Sequence, residues 1–229
     1  NEGCEIISER LRGKKFPLPV GISIAKTNSK ETAEDENAVA DYFKAYQAFA
    51  GIGDYATINI SCPNAYGGQP FTDSGKLEKL LEKLFSIPKT KPVFLKLSPD
   101  LSPLEIDNIL EVAKKFPVDG FVCTNLTKNR SKDMNKNILD EDVPAHGGIS
   151  GPAVGKLSDE LIRYVHKKTG DWAKKPLIIG VGGVSSAEDA YRKIKAGASL
   201  IELITGMIFE GPQLMSSINM GLVKLLKKD

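Results

Sequence analysis

The sequence predicts an α/β fold of the (β/α)8 barrel class, with about six of the eight strand–helix units carried by this chain of 229 residues. Three observations predict it. Short apolar runs alternate with stretches of helical periodicity from one end to the other. The runs are almost continuously apolar, as strands of a parallel sheet covered by helices are. Polar residues with chemical potential follow one run after another: Lys26, Asn59 with Cys62 and Asn64, Lys96, Thr124 with Asn125, Gly182 with Gly183, and Thr205 with Gly206. An open doubly wound sheet collects its ligand at one switch point and opens its first helix with a GxGxxG turn, which is absent here. Contributions from six consecutive strand ends fit a barrel better.

The elements follow in order. Residues 4–12 read as a helix, and Leu18 to Ile24 as a strand running into the polar Lys26-Thr27-Asn28. Residues 34–50 place Val39, Tyr42, Phe43, Tyr46 and Phe49 at helical spacing, with acidic residues in front and Gly51 and Gly53 behind. The strand Ala56 to Ile60 comes next, then a loop with Gly67, Gly68 and Pro70, and a helix from Ser74 to Phe85 capped by Asp73 or Ser74. Val93 to Leu97 is a strand. Ser102-Pro103 starts a helix to Phe116, Gly120 to Thr124 is a strand, and a polar loop spans Asn125 to Gly151. A helix from Lys156 to Lys168, a strand Leu177 to Val181, a helix Ala187 to Ala196, a strand Leu200 to Ile204 and a final amphipathic helix complete the chain. No linker interrupts it, so residues 1–229 read as a single domain. A closed barrel needs eight strands, which implies two strands upstream of Asn1.

Composition narrows the function. With 41% hydrophobic and 26% charged residues and a net charge of +2, nothing favours nucleic acid or a membrane surface as a partner. Three cysteines without framework spacing and two histidines make neither a disulfide scaffold nor a metal site, and fit a reducing cytoplasm. No apolar run approaches the roughly 20 residues of a spanning helix.

Chemistry concentrates at Ile58-Asn-Ile-Ser-Cys-Pro-Asn64, where a strand stops at a proline and a thiol lies between two carboxamides. In an extended segment Asn59 and Ser61 face one way, Ile58 and Ile60 the other, and a turn after Ser61 lets Cys62 and Asn64 lean over the same space. Taken alone, the stretch reads rather as a small buried cysteine with asparagines capping a turn. Lys96 ends an apolar strand, where its charge wants an anionic partner, the alternative being a lysine that snorkels to water. The glycine pairs 182–183 and 205–206 expose backbone amides at the last two strand ends. They are suited to a phosphate, or simply to tight turns.

The series Asn59-Ile-Ser-Cys-Pro-Asn64, Lys96-Leu-Ser-Pro-Asp-Leu-Ser102, Cys123-Thr-Asn125, Gly147-Gly-Ile-Ser-Gly151, Ile178-Ile-Gly-Val-Gly-Gly183 and Ala196 to Gly206 with Phe209-Glu-Gly-Pro212 resembles the dihydroorotate dehydrogenases along the whole chain. The resemblance implies an FMN-dependent barrel enzyme that oxidises dihydroorotate to orotate in pyrimidine biosynthesis. The loops 96–102 and 197–212 are similar to class 2, the membrane-associated branch that reduces quinone. Carried over, Cys62 is the catalytic base, and Asn59, Asn64 and Asn125 hold the substrate. Lys96 meets the flavin's pyrimidine edge, with Ser23 and Asn59 near the flavin. Thr124, Ser150 and Gly151 contact its ring and ribityl chain, and Gly182, Gly183, Thr205 and Gly206 bind the phosphate. In this chemistry the base takes the C5 proton while hydride leaves C6 for the flavin, so base and flavin flank a flat ring.

The sequence departs from class 2 in several places. Cys62 is the class 1 base where class 2 has serine, Ala65 stands in place of a relay threonine, Ser23 of an asparagine and Ile204 of a tyrosine. The cysteine keeps a class 1 enzyme using fumarate or NAD, or a dihydropyrimidine dehydrogenase-like barrel, as alternatives. A flavin-free fragment is the non-enzymatic one. The resemblance places the protein in the cytoplasm, peripheral on the inner face of the cell membrane, with membrane contact through an N-terminal extension.

Overall fold

Among the residues that the computed structural model describes, namely 1–62, 68–130 and 147–227, six short strands alternate with helices, the repeat of a (β/α)8 barrel with six of its eight units. The residues group into two compact units. One is Asn1–Lys96 with Ser102–Gly120, the other Leu97–Leu101 with Phe121–Asp229.

The first unit contains helix α1 (Cys4–Leu11), strand β1 (Gly21–Ile24), helix α2 (Asp35–Ala48), strand β2 (Tyr55–Asn59), helix α3 (Ser74–Leu84), strand β3 (Val93–Leu97, whose last residue falls to the other unit) and helix α4 (Pro103–Ala113). The strands lie parallel in the order β1-β2-β3, with Ile24 opposite Ile58 and Asn59 opposite Lys96. Alternate burial is absent from β2, where Ala56, Thr57 and Ile58 are all enclosed. That is the signature of strands covered on both faces.

Helix α3 covers them with Leu77, Leu80, Leu81 and Leu84, a stripe of spacing 3, 1 and 3 that is wholly buried and contributes on the order of 2 kcal/mol per side chain. Its first turn is closed by the Asp73 carboxylate, which accepts from the Lys76 amide at 3.0 Å. Ser102 and Glu105 form a reciprocal capping box at the start of α4, with Pro103 in the first turn, where its missing N–H costs nothing.

The second unit contains strand β4 (Gly120–Cys123, whose first residue belongs to the other unit), helix α5 (Pro152–Lys168), strand β5 (Leu177–Val181), helix α6 (Ala187–Ala196), strand β6 (Leu200–Glu202), the short helix α7 (Thr205–Glu210) and helix α8 (Gln213–Leu226). Their order in the sheet is β4-β5-β6, and Val181 stands opposite Glu202 in parallel register. Val184, Ala190, Leu214 and Ile218 form a buried cluster joined by Ile201, Leu203 and Leu222. Helix α6 ends on Gly197 at φ +118°, where a Cβ would lie 2.4 Å from the His166 ring, so both conformation and space demand glycine.

Several boundaries differ from the expectation. β1 begins at Gly21 rather than Leu18, because Pro17 and Pro19 supply no ladder donor and Leu18 is 74% exposed. α4 closes at Ala113, with Phe116 in the turn that follows. α5 starts four residues before Lys156, at Pro152 after Gly151, a proline at the first helical position. β6 stops at Glu202, since Ile204 already serves as the N-cap of α7.

Candidate active site

At the end of β2, in the first unit, the backbone turns under two constraints. The buried Tyr42 hydroxyl, on α2, donates to the Asn59 carbonyl at 2.7 Å, and the Asn59 carboxamide oxygen accepts from the Ser61 amide at 3.2 Å and the Ser61 hydroxyl at 2.9 Å. With its oxygen spent on this turn, Asn59 offers its Nδ2 donor to anything in front of the strand. Ile58 and Ile60 are buried as the alternation required; Ser61, however, is buried as well and serves the turn. Cys62 follows half-buried as a free thiol. Asn64 and Ala65 lie outside the described residues.

Lys26, beyond β1, is 8% exposed and donates to the Thr32 carbonyl at 2.9 Å. Burial lowers its pKa, opposed by the charges of Cys62, Asp35 and Asp41, so this ammonium and the thiol lie within electrostatic range of each other. Burial also raises the Tyr42 phenol, which is held as a neutral donor. Lys96 is half-buried and level with Asn59, while Ser23 is exposed on β1 opposite Thr57. Tyr42 and Gln69, whose Nε2 donates to the Ser61 carbonyl at 3.3 Å, had no signal in the sequence beyond helical and loop position.

The second unit gathers the remaining candidates. Thr124 is buried. Its amide donates to the Val181 carbonyl at 2.8 Å and its hydroxyl to the Leu97 carbonyl at 2.9 Å, while the half-buried Asn125 binds that same carbonyl through its amide at 3.0 Å. Asp100 fastens the loop after β4 by accepting from the Thr127 hydroxyl and, at 2.7 Å, from the Lys128 amide.

Three further loops meet. The Thr205 and Ser150 hydroxyls are hydrogen-bonded at 3.0 Å, a Cβ on Gly151 would lie 3.1 Å from Thr205 Cγ2, and one on Gly183 would lie 3.2 Å from the Gly151 carbonyl oxygen. The glycine at 183 answers to packing first: φ is +66° and a Cβ would fall 2.6 Å from Gly155 Cα. Gly206 is similarly tight, with Val184 O at 2.5 Å from the Cβ position. Among the described residues, the backbone amides of Gly183 and Gly206 enter no turn, loop or capping hydrogen bond, whereas that of Gly182 points toward Glu202 on β6, because the Val181 carbonyl of the same peptide faces Thr124.

The family model described as Dihydroorotate dehydrogenase matches residues 1–226. The chain belongs to the dihydroorotate dehydrogenase family. It is 38% identical over 229 residues to the dihydroorotate dehydrogenase (quinone) of Natronomonas pharaonis and 37% identical over 237 aligned positions to that of Crocosphaera subtropica, matching its own full length in each case. It spans 62% and 61% of the lengths of those two relatives. Among solved structures, ligand-free DHODH from Eimeria tenella superimposes with a TM-score of 0.81 at 25% identity, covering 98% of this chain and 65% of that one. The ferulenol complex of the same enzyme gives 0.80 at 24%, a likeness of fold.

The dihydroorotate dehydrogenase family is flavin-dependent, and the second unit fits such a group on its own geometry. The amides of Gly183 and Gly206, on loops brought together by Ser150, Gly151 and Thr205, are donors of the kind that an anionic phosphate requires. No side chain caps the N-terminus of α7 or of α5. Among the described residues no helix is long and apolar enough to cross a membrane.

Proposed function

We propose that this chain carries the catalytic part of a dihydroorotate dehydrogenase, oxidising dihydroorotate to orotate with FMN, and that residues 1–229 act as a single flavin-binding domain. The observation that supports this best is positional. A carboxamide followed by a thiol, a lysine, a threonine–asparagine pair and two glycine loops stand at or near the C-terminal ends of successive strands, in a chain that the family model matches over residues 1–226.

In this reading Cys62 takes the proton from substrate C5. Asn59, Asn64 and Asn125 hold the substrate through amide groups, which match a ring edge that both donates and accepts. Asn59 acts through Nδ2, because its oxygen is committed to Ser61. FMN, when bound, supplies the two-electron acceptor for the hydride from C6. Lys96 places positive charge at the flavin's pyrimidine edge, with Ser23 and Asn59 nearby. Thr124, Ser150 and Gly151 support the ring and ribityl chain, and the loops of Gly182, Gly183, Thr205 and Gly206 hold the phosphate, through the amides of Gly183 and Gly206.

The relatives named as quinone enzymes support quinone as the final acceptor. Quinones dissolve in the bilayer, so the protein would work from the cytoplasmic side, peripheral on the inner face of the membrane. The cysteine at position 62, similar to class 1 enzymes, favours fumarate or NAD as the second reading.

The test is anaerobic mixing of FMN-loaded protein with dihydroorotate. Bleaching of the flavin absorbance with stoichiometric orotate is expected, and an oxidised flavin that persists at saturating substrate would overturn the assignment. Reoxidation by a soluble quinone, by fumarate or by NAD then separates the acceptors.

A further inference from the structure

Two adjacent residues of α2 reach the ends of the strands beside it. The Asp41 carboxylate accepts from the Thr27 amide at 2.6 Å and from the Thr27 hydroxyl at 3.0 Å, which fixes the loop that follows β1. Tyr42 is 2% exposed, its ring edge-on to Phe71 with centroids 5.4 Å apart. Its hydroxyl accepts from the Lys26 backbone amide and donates to the Asn59 carbonyl at 2.7 Å. Ile24 and Ile58 are the last paired residues of β1 and β2, so just beyond the ladder a side-chain hydroxyl joins the two strands.

The peptide between Asn59 and Ile60 feels the consequence. Its carbonyl takes the Tyr42 hydrogen, and its N–H donates back to the Ile58 carbonyl at 3.2 Å, which closes a γ-turn centred on Asn59. Among the described residues only glycines have a positive φ, so the turn is of the inverse kind common at strand ends. One peptide plane is thereby held at both of its polar ends. That plane fixes the backbone from which the Asn59 carboxamide projects, and the carboxamide in turn binds the Ser61 amide and hydroxyl, one residue before Cys62. Without the hydroxyl, the Lys26 amide and the Asn59 carbonyl lose the partner between them. They then either bond to each other directly, continuing the ladder and undoing the γ-turn, or bear the cost of a lost hydrogen bond. Either outcome changes how Asn59 is presented.

We infer that Tyr42 is a positioning residue for the proposed reaction: with Asp41 beside it, it clasps the ends of β1 and β2 and holds Asn59 in the turn from which its Nδ2 faces the substrate. The inference rests on the reading of Asn59 as a substrate ligand. Burial raises the Tyr42 pKa, opposed by the Lys26 backbone, so the hydroxyl stays protonated and keeps the hydrogen that it donates to Asn59.

The experiment is a double-mutant cycle in the FMN-loaded protein, with orotate binding read from the perturbation of the flavin spectrum. Tyr42→Phe keeps the ring against Phe71 and removes only the hydroxyl. Asp41→Ala frees Thr27 and leaves the buried ring alone, so it takes the place of Tyr42→Phe in the cycle where that variant fails to fold. Orotate affinity should fall by about three- to tenfold in Tyr42→Phe, the size of one lost hydrogen bond, and by about twofold or less when the same change is made in Asn59→Ala, because the two residues act through one contact. Amide exchange in the orotate-free proteins is the second readout: Lys26 and Ile60 should exchange faster than in the parent, relative to Leu95 inside β3. An unchanged orotate affinity, an equal loss in both backgrounds, or parent-like exchange at Lys26 and Ile60 would overturn the inference. A parent that binds no orotate would instead overturn the proposed function, and exchange at Lys26 and Ile60 would then decide whether Tyr42 holds the turn.

Discussion

Lys96 stands directly opposite Asn59 in the parallel register of β2 and β3, so the cation and the carboxamide leave the sheet at the same level. Lys96 is half-buried, and a charge in such a place acts on its surroundings more strongly than one in water. Lys96→Met should lower the reduction potential of the bound flavin, because the negative charge of the reduced form loses its counter-charge. Loss of about 1.4 kcal/mol corresponds to about 30 mV for a two-electron couple. Redox titration against dyes checks this, and a potential equal to the parent's would remove Lys96 from the proposed role.

Cys62 is tested by Cys62→Ala in the FMN-loaded protein. The flavin should stay bound and orotate should still bind, while flavin reduction by dihydroorotate slows by about 10²- to 10⁴-fold, the usual contribution of a positioned base. Cys62→Ser should also be slow, and adding Ala65→Thr should recover part of the rate if serine needs a relay. Stopped-flow absorbance reads all three, and near-parent reduction in Cys62→Ala would show that another group takes the proton.

The glycines at 183 and 155 should respond in opposite directions. A Cβ on Gly183 would fall 2.6 Å from Gly155 Cα at φ +66°, whereas a Cβ on Gly155 would lie 3.7 Å from Gly183 Cα, an ordinary contact. Gly183→Ala should therefore destabilise by about 2 kcal/mol or more. Gly155→Ala, inside helix α5, should stabilise by about 0.5–1 kcal/mol. Denaturant melts decide, and equal effects would show that the two backbones are not in this contact. FMN loss in a Gly183 variant reports first on folding.

Burial pushes the Cys123 thiol up from 9.0 to about 12, partly offset by the Lys193 charge. The folded chain thus keeps, between about pH 9 and 12, a proton that the unfolded chain releases, and stability should fall through that window by about 1.4 kcal/mol per pH unit. Cys123→Ala should flatten the decline. In the native protein iodoacetamide should label the half-buried Cys4 and Cys62 and spare Cys123 until denaturant is added, as peptide mass spectrometry would show.

The strand ends were legible in the sequence because a parallel strand declares itself by an unbroken apolar run, and the residue after the run then has a known address. Asn59, Lys96, Thr124 and Gly182 are placed that way, and the structure puts Asn59 at a strand end, Lys96 one residue before one, and Thr124 and Gly182 just past theirs. Lys193 was hidden. In Ala-Tyr-Arg-Lys-Ile-Lys it looks like one more basic residue on a solvated helix, and only the tertiary approach of Gly180 and Ser158 encloses it. Gly183 was read as space for a ligand, while the nearest claim on that space comes from Gly155, 28 positions away in the chain and invisible to local pattern. The start of β1 was misjudged because Leu18 and Val20 look like strand residues, although the prolines around them deny the ladder its donors.

Helix α5 also gives the second unit an internal optical ruler. Its first turn adjoins the Gly183 loop, and just beyond its last turn lies Trp172, the sole tryptophan of the chain, edge-on to Phe121 with ring centroids 6.3 Å apart. Seventeen helical residues set the two ends about 25 Å apart. Indole emission overlaps flavin absorption, so a yellow ligand on the glycine loops would drain the fluorescence of a donor whose place the helix fixes. Filling of the site could then be followed by light from the protein itself, with no label attached.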